Sequence, residues 1–250
     1  EVQQYLQRYC ENFKIHPHIR FNTMVEMVKP VIVTTDSGTD MNLLDVSSLV
    51  GITLTPTSHT SLGYRTLKDG SVCKADVLMF CTGYNFHYPF LDAAQLGLEI
   101  QDHMMSPLYR FMLPPAFPSL FFIGICKIIC PFPNFNCQVQ FALAVLDGSV
   151  PLPSREQMEK EVQQEQQEKL EKGVQWRHLL KLDQGQWEYC DTLAQLAGFP
   201  PLQPVVRSLY EEVWRQRQIH PVNYRRNNYQ LVSATRWELI HSPEPERPNV

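Results

Sequence analysis

The stretch VLMFCTGYNFHYPFLD, residues 77–92, decides how the rest of this sequence is read. Its first five residues are apolar and predict a buried strand that ends at Cys81. Thr82 and Gly83 break the strand, and an aromatic cluster follows them (Tyr84, Phe86, Tyr88 and Phe90). One interpretation is a plain strand-ending turn. The other is the exit of a nucleotide-binding domain, and it requires an entrance further upstream.

The best candidate for that entrance is the segment from Val31 to Thr55. VIV at 31–33 is a short β-branched run, TTDSGTD at 34–40 supplies turn and capping residues, and MNLLDVSSLV at 41–50 has a partly helical apolar spacing. GITLT at 51–55 then predicts another strand. This order of elements predicts a strand–turn–helix–strand unit, the βαβ of a dinucleotide-binding fold.

A dinucleotide-binding turn needs glycines, because the turn is tight and the backbone must approach the pyrophosphate closely. Aligned on Ser37-Gly38, the three glycine positions of GxGxxG fall on Val33, Thr35 and Gly38, so only the last is a glycine. A side chain at 33 obstructs the turn, and Thr35 with Asp36 brings bulk and negative charge towards a phosphate. We therefore expect this turn to bind a dinucleotide weakly or not at all. An ordinary capped helix is the alternative interpretation of this segment.

The remaining elements follow from apolar spacing and turn residues. We expect a helix over residues 1–13, a strand around 19–28, a β-hairpin around Asp69-Gly70, a second buried strand at 119–125 and a helix at about 137–148. A long polar helix is predicted at 154–172, with Ser154 and Gln157 as a capping box and Gly173 at its end. Residues 176–232 predict two or three aromatic-rich helices.

The composition limits the classes of function. The 250 residues suffice for one large domain or two small ones, and 44% of them are hydrophobic. A net charge of −4 gives no electrostatic reason to expect nucleic acid or an anionic membrane as a partner. The seven cysteines do not have the spacing of a zinc site, so we expect no metal and reduced thiols. With no signal peptide and no apolar run of about 20 residues, the expected location is cytoplasmic, without a membrane anchor.

Five segments, taken together and in order, closely resemble the flavin-containing monooxygenase family, in its shorter branch without a membrane anchor. They are EVQQYLQRYCENFKIHPHIRFNTMV, DVLMFCTGYNFHYPFL, PLYRFMLPPAFPSLFFIGI, PFPNFNCQVQFALAVLDGSVPLPSREQM and YCDTLAQLAGFPPL. The resemblance implies an oxidoreductase with FAD and NADPH as cofactors. In the family, reduced flavin reacts with O2 to a hydroperoxide, which oxygenates nitrogen or sulfur in small nucleophilic compounds. The chemistry belongs to the flavin, and the protein positions it and excludes water.

The implied fold is α/β: an incomplete two-dinucleotide-binding Rossmann-type fold with a helical C-terminal cap. In this interpretation residues 1–28 are a remnant of the FAD-binding domain and 29–78 a shortened NADPH-binding βαβ segment. Residues 79–150 return into the FAD-binding domain, and 151–250 form a helical C-terminal region.

The chain departs from the family pattern in three places. It contains no GxGxxG, the turn at Val33–Gly38 lacks two glycines, and Val28-Lys29-Pro30 joins segments that several dozen residues separate in the family. We therefore read the chain as N-terminally truncated and internally deleted. Without its first strand, the parallel sheet would expose an edge that an oligomer or a partner protein could cover.

The resemblance implies cofactor contacts but no conventional catalytic residue. On the NADPH side the implied residues are Ser37, Gly38 and His59. Thr82 and Gly83 mark the return crossing between the two domains. On the flavin side the implied residues are Gly124, Asn134, Phe135 and Gln138.

Two hypotheses about function remain open at this point. In the first, the chain is a flavin- and NADPH-dependent monooxygenase, weak or inactive because its cofactor sites are incomplete. In the second, it is a non-catalytic fragment or isoform that acts as an interaction module. A flavin spectrum of the purified protein distinguishes the two.

Overall fold

The computed structural model describes residues 2–19, 23–34, 40–50, 63–66, 72–75, 84–101 and 103–240. The chain divides into two compact units, Glu1–Met105 and Ser106–Val250. Among the described residues, the first unit consists mainly of hairpins and the second mainly of helices.

The first unit begins with helix α1, Val2–Asn12, which confirms the predicted N-terminal helix. Strand β1, Thr23–Thr34, then pairs antiparallel with strand β2, Asp40–Val50. The prediction of a helix at 41–50 is wrong. Val46, Ser47 and Ser48 are poor helix formers, and the β-branched run at 31–33 lies opposite Leu43, Asn42 and Met41, so the segment gains a ladder of hydrogen bonds as a strand.

The described backbone therefore has an antiparallel hairpin where the sequence predicted a strand, a turn and a helix. The turn residues 35–39 and the predicted strand at 51–55 lie outside the described residues. Strands β3, Gly63–Thr66, and β4, Val72–Ala75, form a second antiparallel hairpin, which confirms the hairpin expected from Asp69-Gly70. Strands β5, Glu99–Gln101, and β6, Met104–Ser106, form a further two-stranded sheet. The predicted strand at 77–81 is outside the described residues.

The second unit is mainly helical. It contains α2, Pro131–Leu146; α3, Arg155–Glu171; α4, Gln186–Ala197; and α5, Pro204–Ile219. The polar helix is confirmed together with its cap, because the Ser154 hydroxyl accepts a hydrogen bond from the Gln157 amide at 3.2 Å. The helix predicted at about 137 starts at Pro131 instead, since proline suits the first turn, where an amide would have no partner.

The prediction of a buried strand at 119–125 is wrong. Phe122 and Ile125 are buried, but Gly124 has φ +83° and Ile128 φ +54°, so the backbone turns instead of extending. The prediction also missed a C-terminal hairpin of strands β7, Asn228–Ser233, and β8, Arg236–Ile240. This hairpin is attached to α5 by a bond from the Val205 amide to the Ala234 carbonyl at 2.9 Å.

The core of the second unit lies between α2 and α4, with the loop at 109–126 packed against both helices. Its buried members include Met112, Leu113, Cys126, Cys137, Phe141, Met158, Tyr189 and Leu193. Each described sheet joins two strands that follow one another in sequence, so the described strands contain no βαβ crossover. Every helix in the described ranges is too short or too polar to span a lipid bilayer.

Candidate functional site

Four of the predicted cofactor-contact residues come together at the start of α2. Gly124 lies in the loop before the helix, and Asn134, Phe135 and Gln138 lie in its first two turns. The other five predicted contacts lie outside the described residues: Ser37, Gly38, His59, Thr82 and Gly83.

The first turn of α2 is poorly equipped to bind a phosphate. Pro131 and Pro133 have no amide hydrogen, and the Cys130 amide donates to Gln186 Oε1 at 2.6 Å. The Asn134 amide is bonded to the Cys130 carbonyl at 3.1 Å, within the helix. Two prolines without an amide hydrogen and two amides that are already bonded leave this turn short of the several backbone donors that a phosphate cradle needs.

Gly124 and Phe135 are in direct contact and partly exposed. Gly124 has a left-handed backbone, φ +83°, and a Cβ at this position would lie 3.0 Å from Phe135 Cε1. Glycine is needed here for both reasons, because other residues are strained at this φ and the ring leaves no room for a side chain. The Phe135 ring therefore rests directly on the backbone of the loop.

The buried side chain of Gln138 anchors the same loop to the protein interior. Its side chain is fully buried, and its Oε1 accepts a hydrogen bond from the Gly124 amide at 2.9 Å. Its Nε2 donates to the Tyr189 hydroxyl at 2.9 Å and makes a longer contact of 3.7 Å with Cys126 Sγ. Both ends of the amide are thus bonded to the protein, as expected for a buried polar group.

Tyr189 extends this network to a second loop. Its hydroxyl donates to the Arg110 carbonyl at 2.9 Å. Arg110 and Phe111 both have positive φ, +49° and +54°, a conformation that is unfavourable for residues with a side chain. Burial raises the pKa of Tyr189 well above its usual value, so the hydroxyl keeps its proton and remains a donor.

Asn134 lies beside a group of buried thiols. Its Nδ2 donates to Cys190 Sγ at 3.5 Å, and its Oδ1 has no hydrogen-bond partner among the described residues. Burial raises the pKa of Cys126 to about 12, and the bond that Cys190 donates to Cys137 raises the pKa of Cys190. These two thiols therefore stay protonated at neutral pH and are unsuited to act as nucleophiles.

Sequence reasoning missed the residues of α4 that complete the network. Gln186, Tyr189, Cys190 and Leu193 are all buried and recur at helical spacing. The helical spacing of these residues could have predicted that this face of α4 is buried. A glutamine at the first of the four positions does not by itself indicate that its side chain is buried.

Two further observations limit what the site can bind. The part of the chain that the structure describes contains no group of three His, Cys, Asp or Glu side chains that could bind a metal ion. The outer face of α2 carries exposed apolar side chains: Phe132, Val139, Leu143 and Leu146.

The chain is similar to known proteins over this region. The family model "Flavin-binding monooxygenase-like" matches residues 57–238. "Flavin-containing monooxygenase FMO GS-OX-like 3" of Arabidopsis thaliana is 33% identical over 169 residues, which are 66% of this chain and 37% of that protein. The chain thus spans a little over a third of the length of the curated relatives it matches.

Two solved structures are also similar. The structure of S-allyl-L-cysteine S-oxygenase from Allium sativum has 33% sequence identity and a TM-score of 0.59, covering 65% of this chain and 37% of that one. The structure of Tmm from Pelagibacter sp. strain HTCC7211 has 26% identity and a TM-score of 0.55, covering 72% of this chain and 40% of that one.

Proposed function

Because the chain belongs to the flavin-binding monooxygenase-like family, we propose that it serves in the NADPH- and O2-dependent oxygenation of nitrogen or sulfur in small nucleophilic compounds. The observation that carries this proposal is the family match over residues 57–238. Membership implies the Rossmann-type flavoprotein fold of the family, to which the helical second unit would contribute the C-terminal part. A relative that is titled an S-oxygenase supports sulfur as one of the atoms oxygenated.

The four described contact residues divide into two pairs with different roles. Gly124 and Phe135 are partly exposed, so they would contact a bound flavin ring. Asn134 and Gln138 are buried and bonded within the protein, so they would hold the first pair in place. When bound, the flavin supplies the redox chemistry, and the residues of this chain orient it and exclude water.

The described residues fit the ring of a flavin better than its pyrophosphate. The loop and the outer face of α2 present apolar surface, whereas the first turn of α2 contains two prolines and the amides of Cys130 and Asn134 are already bonded. A pyrophosphate needs donors from another part of the protein. On the NADPH side, we propose that Ser37, Gly38 and His59 contact the nucleotide and that Thr82 and Gly83 line the crossing between domains.

We further propose that this chain alone is weakly active or inactive. Val33 and Thr35 replace two glycines of the NADPH turn, and the chain spans only 37% of the relative's length. We place the protein in the cytoplasm, since the five cysteines whose side chains the structure describes are all free, which suits a reducing compartment. We also propose that oligomer formation or a partner protein covers the exposed edge of the sheet.

Flavin binding by the purified chain tests the proposal. We expect little visible flavin absorbance as purified, more flavin retained after incubation with FAD and removal of the free cofactor, and slow NADPH oxidation coupled to sulfoxide formation from a thioether. The variant Phe135→Ala should weaken FAD retention, and Leu146→Ala, at the far end of the same helix, serves as the matched control. A chain that retains no flavin after incubation with excess FAD and removal of the free cofactor would contradict the enzymatic function and favour an interaction module.

A further inference from the structure

The end of α5 and the segment after it carry positive charge with no acidic residue in the same stretch of sequence. Residues 213–236 contain five arginines and no Asp or Glu, although the net charge of the whole chain is −4. The stretch comprises the last turns of α5, a 3₁₀ turn at Tyr224–Arg226 and strand β7. The negative charge of the chain therefore lies elsewhere, and this part of the second unit has a local excess of positive charge.

Two of the five arginines are neutralised by carboxylates at the borders of the stretch. Arg215 pairs with Glu212 at 2.8 Å, and Arg236 pairs with Glu238 at 3.0 Å. The other three are exposed and form no ion pair with any residue that the structure describes: Arg217, Arg225 and Arg226. Their charge is available to a partner outside the chain.

Two of these three guanidinium groups lie against aromatic rings and close to one hydroxyl. Arg217 lies over the Trp214 ring, 5.3 Å from its centroid, and Arg225 lies over the Tyr224 ring at 5.5 Å. The Arg225 Nε also donates to the Tyr224 hydroxyl at 3.0 Å. This bond lowers the pKa of Tyr224, and the positive charges of Arg225 and Arg217 lower it further, so both arginines are near the phenol.

Large apolar side chains are exposed among these arginines. Val222 is 84% exposed, Ile219 51% and Trp214 41%. The Tyr224 amide donates to the His220 carbonyl at 3.0 Å, which closes a turn that contains Val222. Apolar side chains that are grouped on a surface and surrounded by charge are typical of a site of interaction.

Arginines next to exposed aliphatic side chains fit a lipid surface better than a nucleic acid. Proteins that bind single-stranded nucleic acid stack the bases on open aromatic faces. Here the rings of Trp214 and Tyr224 each have a guanidinium over one face, and the two most exposed apolar side chains, Val222 and Ile219, are aliphatic. Basic residues beside apolar ones are characteristic of proteins that bind at the membrane interface.

We propose that residues 214–226, the basic surface, bind the face of an anionic phospholipid membrane. Val222 and Ile219 would enter the boundary between headgroups and acyl chains, and the three unpaired arginines would contact the lipid phosphates. The expectation from net charge averages over the chain and misses this surface, whereas salt screens the more distant negative charges beyond about 8–10 Å. Binding requires no flavin or NADPH chemistry, so the proposal is independent of the proposed function.

Sedimentation with phospholipid vesicles tests this surface without an activity assay. We expect the purified chain to bind vesicles of equimolar phosphatidylserine and phosphatidylcholine, and to bind phosphatidylcholine vesicles much more weakly. Added potassium chloride should weaken the binding, because it screens the attraction. The fluorescence of Trp214 should shift to shorter wavelength on binding, and Trp214→Phe should remove that shift. Equal binding to the two kinds of vesicle, or binding to neither, would overturn the proposal.

Charge variants show whether the attraction is specific to the basic surface. Arg217→Gln combined with Arg226→Gln should weaken binding to the mixed vesicles about 30-fold, since each cation at an anionic surface contributes about fivefold. Lys160→Gln combined with Lys172→Gln removes the same charge from exposed positions in and just after α3, and it should change binding little. Equal losses in the two double variants would contradict a specific surface.

The apolar contribution is tested at the exposed turn. Val222→Ser should weaken binding to the mixed vesicles about tenfold, because the methyl groups no longer leave water on binding. Leu146→Ser, at an exposed position of α2, is the matched control and should bind as the unchanged chain does. Circular dichroism checks that both variants keep the fold, and a Val222→Ser variant that binds normally would refute insertion of the turn.

Single-stranded RNA is the competing ligand for a basic surface. Polyuridylate that binds the chain and loses affinity in the Arg217 and Arg226 double variant, while the mixed vesicles do not bind, would assign the surface to nucleic acid and overturn the membrane proposal.

Discussion

The hydroxyl of Tyr189 links the loops at Arg110 and, through Gln138, at Gly124 to the helical core, and its removal gives the sharpest test of the site's architecture. Tyr189→Phe keeps the ring and leaves no cavity. It deletes the bond from Gln138 Nε2 and the bond to the Arg110 carbonyl, both 2.9 Å long. Each of the two partners is left without its bond, which costs about 1–3 kcal/mol for a buried group.

The two penalties together predict a loss of about 2–6 kcal/mol in the free energy of unfolding, a large part of the 5–15 kcal/mol typical of a domain. In urea, with a slope of about 2 kcal/mol per molar, the midpoint should fall by about 1–3 M at an unchanged slope. Circular dichroism measures the transition. Tyr224→Phe is the matched control, since that hydroxyl accepts one exposed bond from Arg225, and it should change the midpoint little.

The same hydroxyl predicts a dependence on alkaline pH. The pKa of Tyr189 is raised in the folded protein above its usual value of 10.0, so above about pH 10 the unfolded state loses this proton more readily than the folded state. The stability that Tyr189 contributes is therefore complete below pH 10 and is lost as the pH rises further. Tyr189→Phe should remove this part of the alkaline loss. In the urea experiment, a midpoint for Tyr189→Phe no lower than that for Tyr224→Phe would refute the reasoning.

Two further predictions concern the loop and a helix cap. Gly124→Ala and Gly148→Ala introduce the same left-handed strain, since φ is +83° and +81°, but only the first adds a Cβ 3.0 Å from a ring carbon of Phe135. Gly124→Ala should therefore be the more destabilising by about 1–3 kcal/mol in urea unfolding, and equal losses would show that the ring moves freely aside. Ser154→Ala removes the cap of α3 and should cost about 1 kcal/mol of unfolding free energy, with no change expected in the far α5.

The sequence predicted the elements whose signals are local. The capping residue Ser154 and the sequence Asp69-Gly70 are signals that act over a few residues, and both the polar helix and the hairpin that they predict are present. Residues 41–50 could not be assigned in this way, because their pairing with β1 depends on a partner up to 27 positions away, as in Thr23 with Val50. Tertiary contact decides such a segment when its intrinsic preferences are weak.

The candidate site shows the same limit. Gly124, Asn134, Phe135 and Gln138 were predicted from the family resemblance, and the structure brings them together. The burial of Asn134 and Gln138 was not predictable, because their partners lie in α4, more than fifty residues later. Whether a polar side chain of a helix faces the core or the solvent can be predicted only when its hydrogen-bond partner is known.

The bonds of Gln138 also constrain how this region can change over evolutionary time. One amide joins the Gly124 loop to Tyr189, and through it the loop at Arg110. A substitution of either Gln138 or Tyr189 alone passes through a less stable protein, whereas an apolar pair of matching shape could restore much of the loss. The two positions should therefore be exchanged together or retained together, and a lineage that loses one gains most by changing the other next.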